Sequence, residues 1–322
     1  IHLMNDVGTV FAEYVFRLRK EEHQSSTALV GAPYYEVDQP ELTPFADIFN
    51  LALISGTQPE IDSVPERLTR LHLQGITTCS CPLFDFRDQR RSESDTVDEI
   101  ESRMISSANQ QLASGLGGCK LLMPISSMGF QDAGGWNDQE QIHLVYELLS
   151  SIKGQYPRTP LVIGLDQPFG EPRVFKQRKS ALQLAENLIR MQAPVAAFCL
   201  EINIGYYPEG TWIRDLFSFN DLLDSWGQFD YPLIVQFRIP GGVRTREAED
   251  GSRLVTAGLD SQASWLEKLA LLALAKHNVA GVLYAQVFDQ PADPFFGAGL
   301  ISSQMNEKPA MATIKNIVQQ LG

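Results

Sequence analysis

No apolar run in this chain approaches the roughly 20 residues that a bilayer-spanning helix needs, so none of these residues reads as a helical membrane anchor. Cysteine is scarce: Cys79, Cys81, Cys119 and Cys199 are the only four. None of them shows zinc-ligand spacing, and all fall inside apolar runs, so they read as buried, reduced thiols. That reading leans toward a reducing, cytoplasmic setting. There is no Pro/Ser-rich linker, low-complexity tract or internal repeat, so the 322 residues read as a single domain with ample core. No stretch reads as a signal peptide, and a start at Ile1 rather than Met leaves an upstream segment open. Basic residues are also in short supply. With 26 Lys and Arg against 39 Asp and Glu, the net charge is −13 and the sequence pI about 4.8. A polyanion would be repelled, so neither nucleic acid nor an anionic membrane is expected as partner. A neutral saccharide meets no such barrier. Nothing in the sequence bears on oligomeric state.

Eight short apolar runs are present, each breaking into polar, Gly or Pro residues at its C-terminal end. They are Thr27 to Tyr34, Phe49 to Gly56, Ile76 to Phe84, Cys119 to Ser127, Pro160 to Asp166, Ala196 to Asn203, Pro232 to Arg238 and Gly281 to Asp289. Strands buried on both faces look continuously hydrophobic in this way. Between them, Val64 to Leu73, Val97 to Leu116, Asp138 to Lys153, Lys176 to Met191, Phe219 to Trp226 and Ser261 to His277 carry apolar residues at helical spacing. Asn137 followed by Glu140 resembles a capping box, and Gly75, Gly117 and Gly154 stand where helices should end. Strand alternating with helix is the pattern of a parallel (β/α)8 barrel, a TIM barrel. Thr9 to His23 reads as an extra N-terminal helix, within an extension over residues 1–26. The charged stretch from Asp85 to Asp95 reads as a solvated surface loop.

In such a barrel the chemistry sits where the strands end. His2, His23, His72, His143 and His277 all fall on helices or at the extreme N-terminus, which argues against a metal centre built on strand-end imidazoles. Lys120 begins its strand rather than ending it, so Schiff-base chemistry has no candidate, and no serine has a histidine partner. Neither a metal nor a cofactor is therefore expected. Carboxylates remain: Asp166 and Glu171 after the fifth run, Glu201 in the sixth, Asp289 at the end of the eighth. Alternation along the sixth run places Cys199, Glu201 and Asn203 on one side, and a charged Glu201 belongs to the barrel mouth. The same argument turns Gln236 and Arg238 inward, with Arg238 near Glu201. That pair reads either as a structural ion pair or as a substrate-facing carboxylate whose ionisation Arg238 controls. Phe169, Tyr206, Tyr207 and Trp212 are loop aromatics beside the carboxylates, suited to stacking on a sugar or to packing on the rim. Two carboxylates and little else is the requirement of glycoside hydrolysis.

The stretch GVLYAQVFD at Gly281 to Asp289, followed by GLIS at Gly299 to Ser302 and KPA at Lys308 to Ala310, resembles the closing segment of family 10 glycoside hydrolases, the xylanases. Weaker similarity runs back through FNLALISG, GITTCSCPLF and GLDQ. The whole chain also resembles divergent xylanase-like proteins of planctomycete-type bacteria, through LDQPFGE and LEINIGYYPEGTWIRDLFSFNDLLDSWG. The resemblance implies a (β/α)8 barrel, a saccharide ligand and a final helix starting near Lys308. It also implies where catalytic glutamates would be, and this chain lacks them. Ser126, Ser127 and Met128 stand where the fourth strand of a xylanase ends in its acid/base, and Gln236 and Arg238 stand in place of the seventh-strand nucleophile motif. Ala285 takes the place of the eighth-strand Trp, and CPLFDF replaces the third-strand HTLVWH pattern. Only Asp166, matching a fifth-strand Asp, and Asp289 keep equivalents.

Ordinary xylanase activity is therefore not expected. The leading expectation is a carbohydrate-active barrel with a relocated acid pair, Glu201 with Asp166 or Glu171; Asp289, Arg238, Gln236, Asn203, Tyr206, Trp212 and Phe169 are candidate substrate contacts. The alternatives are a barrel that binds a saccharide without cleaving it, a phosphate-handling barrel using Pro240, Gly241 and Gly242 with Arg244 and Arg246, and a carboxylate-bound Mg2+ enzyme.

Overall fold

The computed structural model describes residues 28–35, 42–56, 63–87, 95–129, 137–171, 179–206, 210–241, 245–247, 253–255, 259–290 and 295–321. The extension expected over residues 1–26 lies outside them.

Strands and helices alternate along the chain. The strands are β1 (Leu29–Pro33), β2 (Leu51–Ile54), β3 (Thr77–Ser80), β4 (Phe84–Asp85), β5 (Leu122–Met128), β6 (Leu161–Leu165), β7 (Ala197–Asn203), β8 (Leu233–Arg238), β9 (Thr245–Glu247), β10 (Arg253–Val255) and β11 (Val279–Tyr284). The α-helices are α1 (Val64–Leu73), α2 (Val97–Ala113), α3 (Asp138–Gln155), α4 (Ala181–Arg190), α5 (Leu216–Gly227), α6 (Leu259–Leu274) and α7 (Pro309–Leu321). This is a (β/α)8 barrel in which β3 and β4 together make the third strand. Cys81, Pro82 and Leu83 separate the two, and a proline has no N–H to give to a ladder.

Contacts divide the chain into two compact units, one of Asn50–Glu201 with Phe229–Ile234, the other of Ile1–Phe49, Ile202–Gln228 and Val235–Gly322. In the first, β2 pairs with β3, β4 with β5, β5 with β6 and β6 with β7, all parallel. A parallel bridge from Cys79 to Leu121 links β3 directly to the residue preceding β5. Every residue of β2, β5, β6 and β7 is buried, which is why these runs carry no polar alternation. In the second unit, β11 pairs parallel with β1, Leu29 facing Gly281, and β9 with β10 forms an antiparallel hairpin.

Helix starts follow local chemistry. Asn137 accepts from the Gln139 and Glu140 amides while the Glu140 side chain takes the Asn137 N–H, completing the box, and Ser63 with Glu66, Thr96 with Glu99 and Ser180 with Gln183 repeat it. Gly75 follows α1 at φ +76, a conformation that favours glycine. Gly154, read as a stop, lies within α3, which runs one residue past it.

The larger correction concerns the stretch read as a solvated loop from Asp85. Asp85 pairs with Ser126 in the sheet, Phe86 is buried, and Arg87 reaches a buried carboxylate; residues 88–94 lie outside the described ones. Strand pairing and burial of Phe86 overrode the charge of the segment. The eighth strand also sits earlier than read, ending at Tyr284, so Asp289 lies beyond it.

All four cysteines are free thiols; Cys79, Cys119 and Cys199 are buried, and burial pushes the thiols of Cys81 and Cys119 up to about 12. No described helix is long and apolar enough to cross a membrane. Among the described residues, no group of three or more His, Cys, Asp and Glu side chains is arranged to hold a metal ion.

Candidate carboxylate site

Glu201, on β7, is 4% exposed. Its Oε1 accepts the Ser127 N–H at 2.8 Å and its Oε2 the Ser127 hydroxyl at 3.3 Å. Ser127 adopts φ +54, a left-handed conformation that costs a non-glycine residue on the order of 1 kcal/mol. That conformation, at the end of β5, accompanies the backbone donor given to Glu201.

Gly164, on β6, makes room for this contact. A Cβ at that position would collide with Glu201 Oε1 and approach Ser126 Cα at 2.9 Å. Overpacking of this kind costs about 1–3 kcal/mol. Gly164→Ala should therefore lower the melting temperature, and Glu201→Ala in the same chain should recover part of the loss, because one of the two clashes disappears. Strict additivity of the two substitutions would show that Glu201 is not what Gly164 accommodates.

Asp166, immediately after β6, is 1% exposed and takes Arg87 Nη2 at 3.1 Å. Asp85 accepts the Arg87 N–H at 2.8 Å. Arg87 thus ties together acids at the ends of β4 and β6, the two strands that flank β5. Burial is the main cause that pushes Glu201 up to about 7; Asp85 and Asp166 push the same way, while the Ser127 N–H and Arg87 oppose them. Glu171 is buried in the loop after β6, and Phe169 beside it is partly exposed.

The remaining candidates lie in the other unit. Arg238 Nη1 reaches Asn203 Oδ1 at 3.5 Å, and its guanidinium lies 4.4 Å from the centre of the Phe295 ring. Gln236 and Arg238 are partly exposed while Val235 and Phe237 are buried, the alternation expected of β8. Tyr206 is buried, packs edge-on against Phe295 at 5.2 Å and donates its hydroxyl to the Phe296 carbonyl at 2.9 Å, so its ring anchors the loop. Trp212 is 46% exposed. Asp289 accepts the Gly299 N–H at 2.8 Å and pairs with Lys308 at 2.6 Å. Tyr207, Gly242 and Arg244 lie outside the described residues, and Arg246 lies on β9.

Three residues central to this geometry escaped the sequence reading: Arg87, Asp85 and Ser127. Nothing local to Arg87 or Ser127 signals a partner about 75–80 residues away in sequence. Gly164 did carry a signal, since a glycine inside a strand marks a close approach by another group.

No known family profile matches the sequence, and no curated protein does. Solved structures match it over nearly its whole length. A family 10 glycoside hydrolase from Paenibacillus barcinonensis has a TM-score of 0.62 at 13% identity, covering 92% of this chain and 96% of that one. The fold is that of the family 10 glycoside hydrolases. An intracellular xylanase from Thermoanaerobacterium saccharolyticum, in a variant bound to xylotriose, superposes with a TM-score of 0.63 at 12% identity, covering 92% and 97% of the two chains. Xylanase 10B from Thermotoga maritima gives 0.59 at 12%, covering 94% and 98%. The barrel is thus xylanase-like in architecture, while β5 ends in Ser126, Ser127 and Met128, and β8 in Gln236 and Arg238.

Proposed function

We propose that this protein is a carbohydrate-active barrel in which Glu201 is the proton donor and Asp166 the second carboxylate of a relocated acid pair. One observation carries the reading: the Glu201 carboxyl crosses over Gly164 of β6 and docks on Ser127 at the end of β5. The resemblance to xylanases puts an acid/base at the end of that same strand. A carboxyl group therefore stands near where the family keeps one, supplied from two strands away. Burial pushes the Glu201 carboxyl up to about 7, and Asp166 is paired with Arg87. The burial of Glu201 favours a second reading, in which a saccharide is bound but not cleaved.

The test is turnover on defined oligosaccharides and polysaccharides, xylan included, followed by reducing-end release. We expect no xylo-oligosaccharides from xylan, because neither Met128 nor Arg238 can act as the missing acid or nucleophile. Turnover of another glycoside that survives both Glu201→Gln and Asp166→Asn would overturn the assignment of the pair. Binding without any turnover would establish the second reading.

A further inference from the structure

The end of β5 is irregular backbone, and one peptide unit there is held from two directions. β5 shifts register against β6 between Leu122 and Ile125 and again between Ile125 and Met128, the kind of irregularity that re-aims the residues after it. Ser127 then takes φ +54 and Gly129 φ +95, on either side of Met128. The Met128 carbonyl accepts the Asp166 N–H at 2.9 Å. The N–H of the same peptide, that of Gly129, donates to Gln141 Oε1 at 2.7 Å. Gln141 is fully buried and lies in the first turn of α3, its own N–H bonded to the Asn137 carbonyl at 3.1 Å. The capping box that starts α3 at Asn137 therefore also fixes where the Gln141 side chain begins.

A left-handed residue other than glycine persists only where its surroundings over-determine it. Three bonds do so around Ser127. Its N–H meets Glu201, the Met128 carbonyl takes the Asp166 N–H, and the Gly129 N–H meets Gln141. Two of these partners belong to the acid pair itself, and the third comes from the helix layer. Without the Gln141 acceptor the buried Gly129 N–H has to turn toward another partner, since a buried donor is costly to leave unpaired. The Met128–Gly129 peptide rotates with it, and the Ser127 N–H is drawn away from the Glu201 carboxyl. The charged and titratable groups that face Glu201 are Asp85 and Arg87 of the β4 segment, Asp166 after β6 and Cys199 on its own strand. Gln141 carries no charge. Its influence on Glu201 therefore runs through the turn.

We propose that Gln141 is a positioning residue of the acid pair, holding through Gly129 the turn from which Ser127 donates to Glu201. The inference rests on the reading of Glu201 as proton donor, and the measurement that tests it is made on the Glu201 carboxyl itself, with or without turnover. The whole chain, labelled with 13C at its glutamate carboxyls, is titrated by NMR, the Glu201 signal being the one lost in Glu201→Gln. In Gln141→Met, which brings no charge, the Glu201 midpoint should rise by about one pH unit, because the N–H that favours the ionised form has moved away. Leu148→Ala opens a cavity two turns further along α3, at another fully buried side chain, and should lower the melting temperature while leaving the midpoint in place. Gln141→Asn, whose amide falls one methylene short, should give a smaller rise and takes the place of Gln141→Met if that variant does not fold. A midpoint unchanged in the folded Gln141 variant, or moved equally by Leu148→Ala, overturns the inference and leaves the acid pair standing. The alkaline limb of the turnover profile should move with the midpoint. A limb that stays while the midpoint moves overturns the proton-donor reading and leaves Gln141 as the residue that positions the turn.

Discussion

Glu201→Gln is expected to cut glycoside turnover by about 10²- to 10⁴-fold, the usual contribution of a positioned proton donor, while making the folded chain more stable above neutral pH. The two effects share one cause. Burial, with Asp85 and Asp166 nearby, pushes Glu201 up to about 7 from the ordinary 4.5. A carboxyl whose folded value is raised binds its proton more tightly in the native state. The stability it contributes is therefore complete below about pH 4.5 and is lost as pH rises through about 7, a swing on the order of 3 kcal/mol. Glutamine keeps the shape and carries no charge, so the variant should lack this loss. Thermal unfolding at pH 5 and pH 8 should show the two proteins converging at the acid end and the variant melting higher at the alkaline end. Turnover by the native protein should fall about tenfold per unit above pH 7, as the donor loses its proton. A variant that melts lower than the native protein at pH 8 would show Glu201 to be held there as a stabilising charge, and the assignment of a proton donor would fail.

Lys308→Met should be strongly destabilising, although it lies outside the carboxylate site. Lys308 is 7% exposed; its Nζ lies 2.6 Å from Asp289 Oδ2 and 3.1 Å from the Gly297 carbonyl. Asp289 in turn accepts the Gly299 N–H, and a Cβ at Gly299 would collide with the Asp289 backbone. One ion pair thus fastens the loop after β11 to the start of α7. Removing the cation strands a largely buried carboxylate, a loss of about 3–5 kcal/mol in comparable pairs. Lys308→Met combined with Asp289→Asn should recover much of it, since no uncompensated charge remains. Chemical denaturation of the single and double variants measures the coupling, and a single variant within about 0.5 kcal/mol of the native protein would mean that the pair is exchanged for water at little cost. This contact also gives a physical meaning to the KPA segment: its lysine is a structural tether, and Pro309 at the first position of α7 has a φ already suited to a helix start.

Much of the architecture was legible one segment at a time. The β5, β6 and β7 runs are apolar because both of their faces are covered, and α1 and α3 begin where a capping residue and an acidic partner three positions on satisfy the exposed N–H groups. Both are local rules, written within a few residues of where they act. The direction of Glu201 was equally local, since strand alternation alone turns it away from the helix layer. Which group Glu201 meets was not. Its docking on Ser127 depends on a left-handed residue 74 positions earlier and on the missing side chain of Gly164 between them. Arg87 is the sharper case: a charged residue at the mouth of a polar stretch reads as solvated by any local criterion, and only the pairing of Asp85 with Ser126 and the burial of Phe86 carry it to Asp166. Composition and periodicity report how much surface a segment must bury and on which side. Which charges come to share the space left over is decided when strands distant in sequence become neighbours, because Coulomb energy and desolvation depend on separation in space, and no residue carries that separation in its own neighbourhood of the chain.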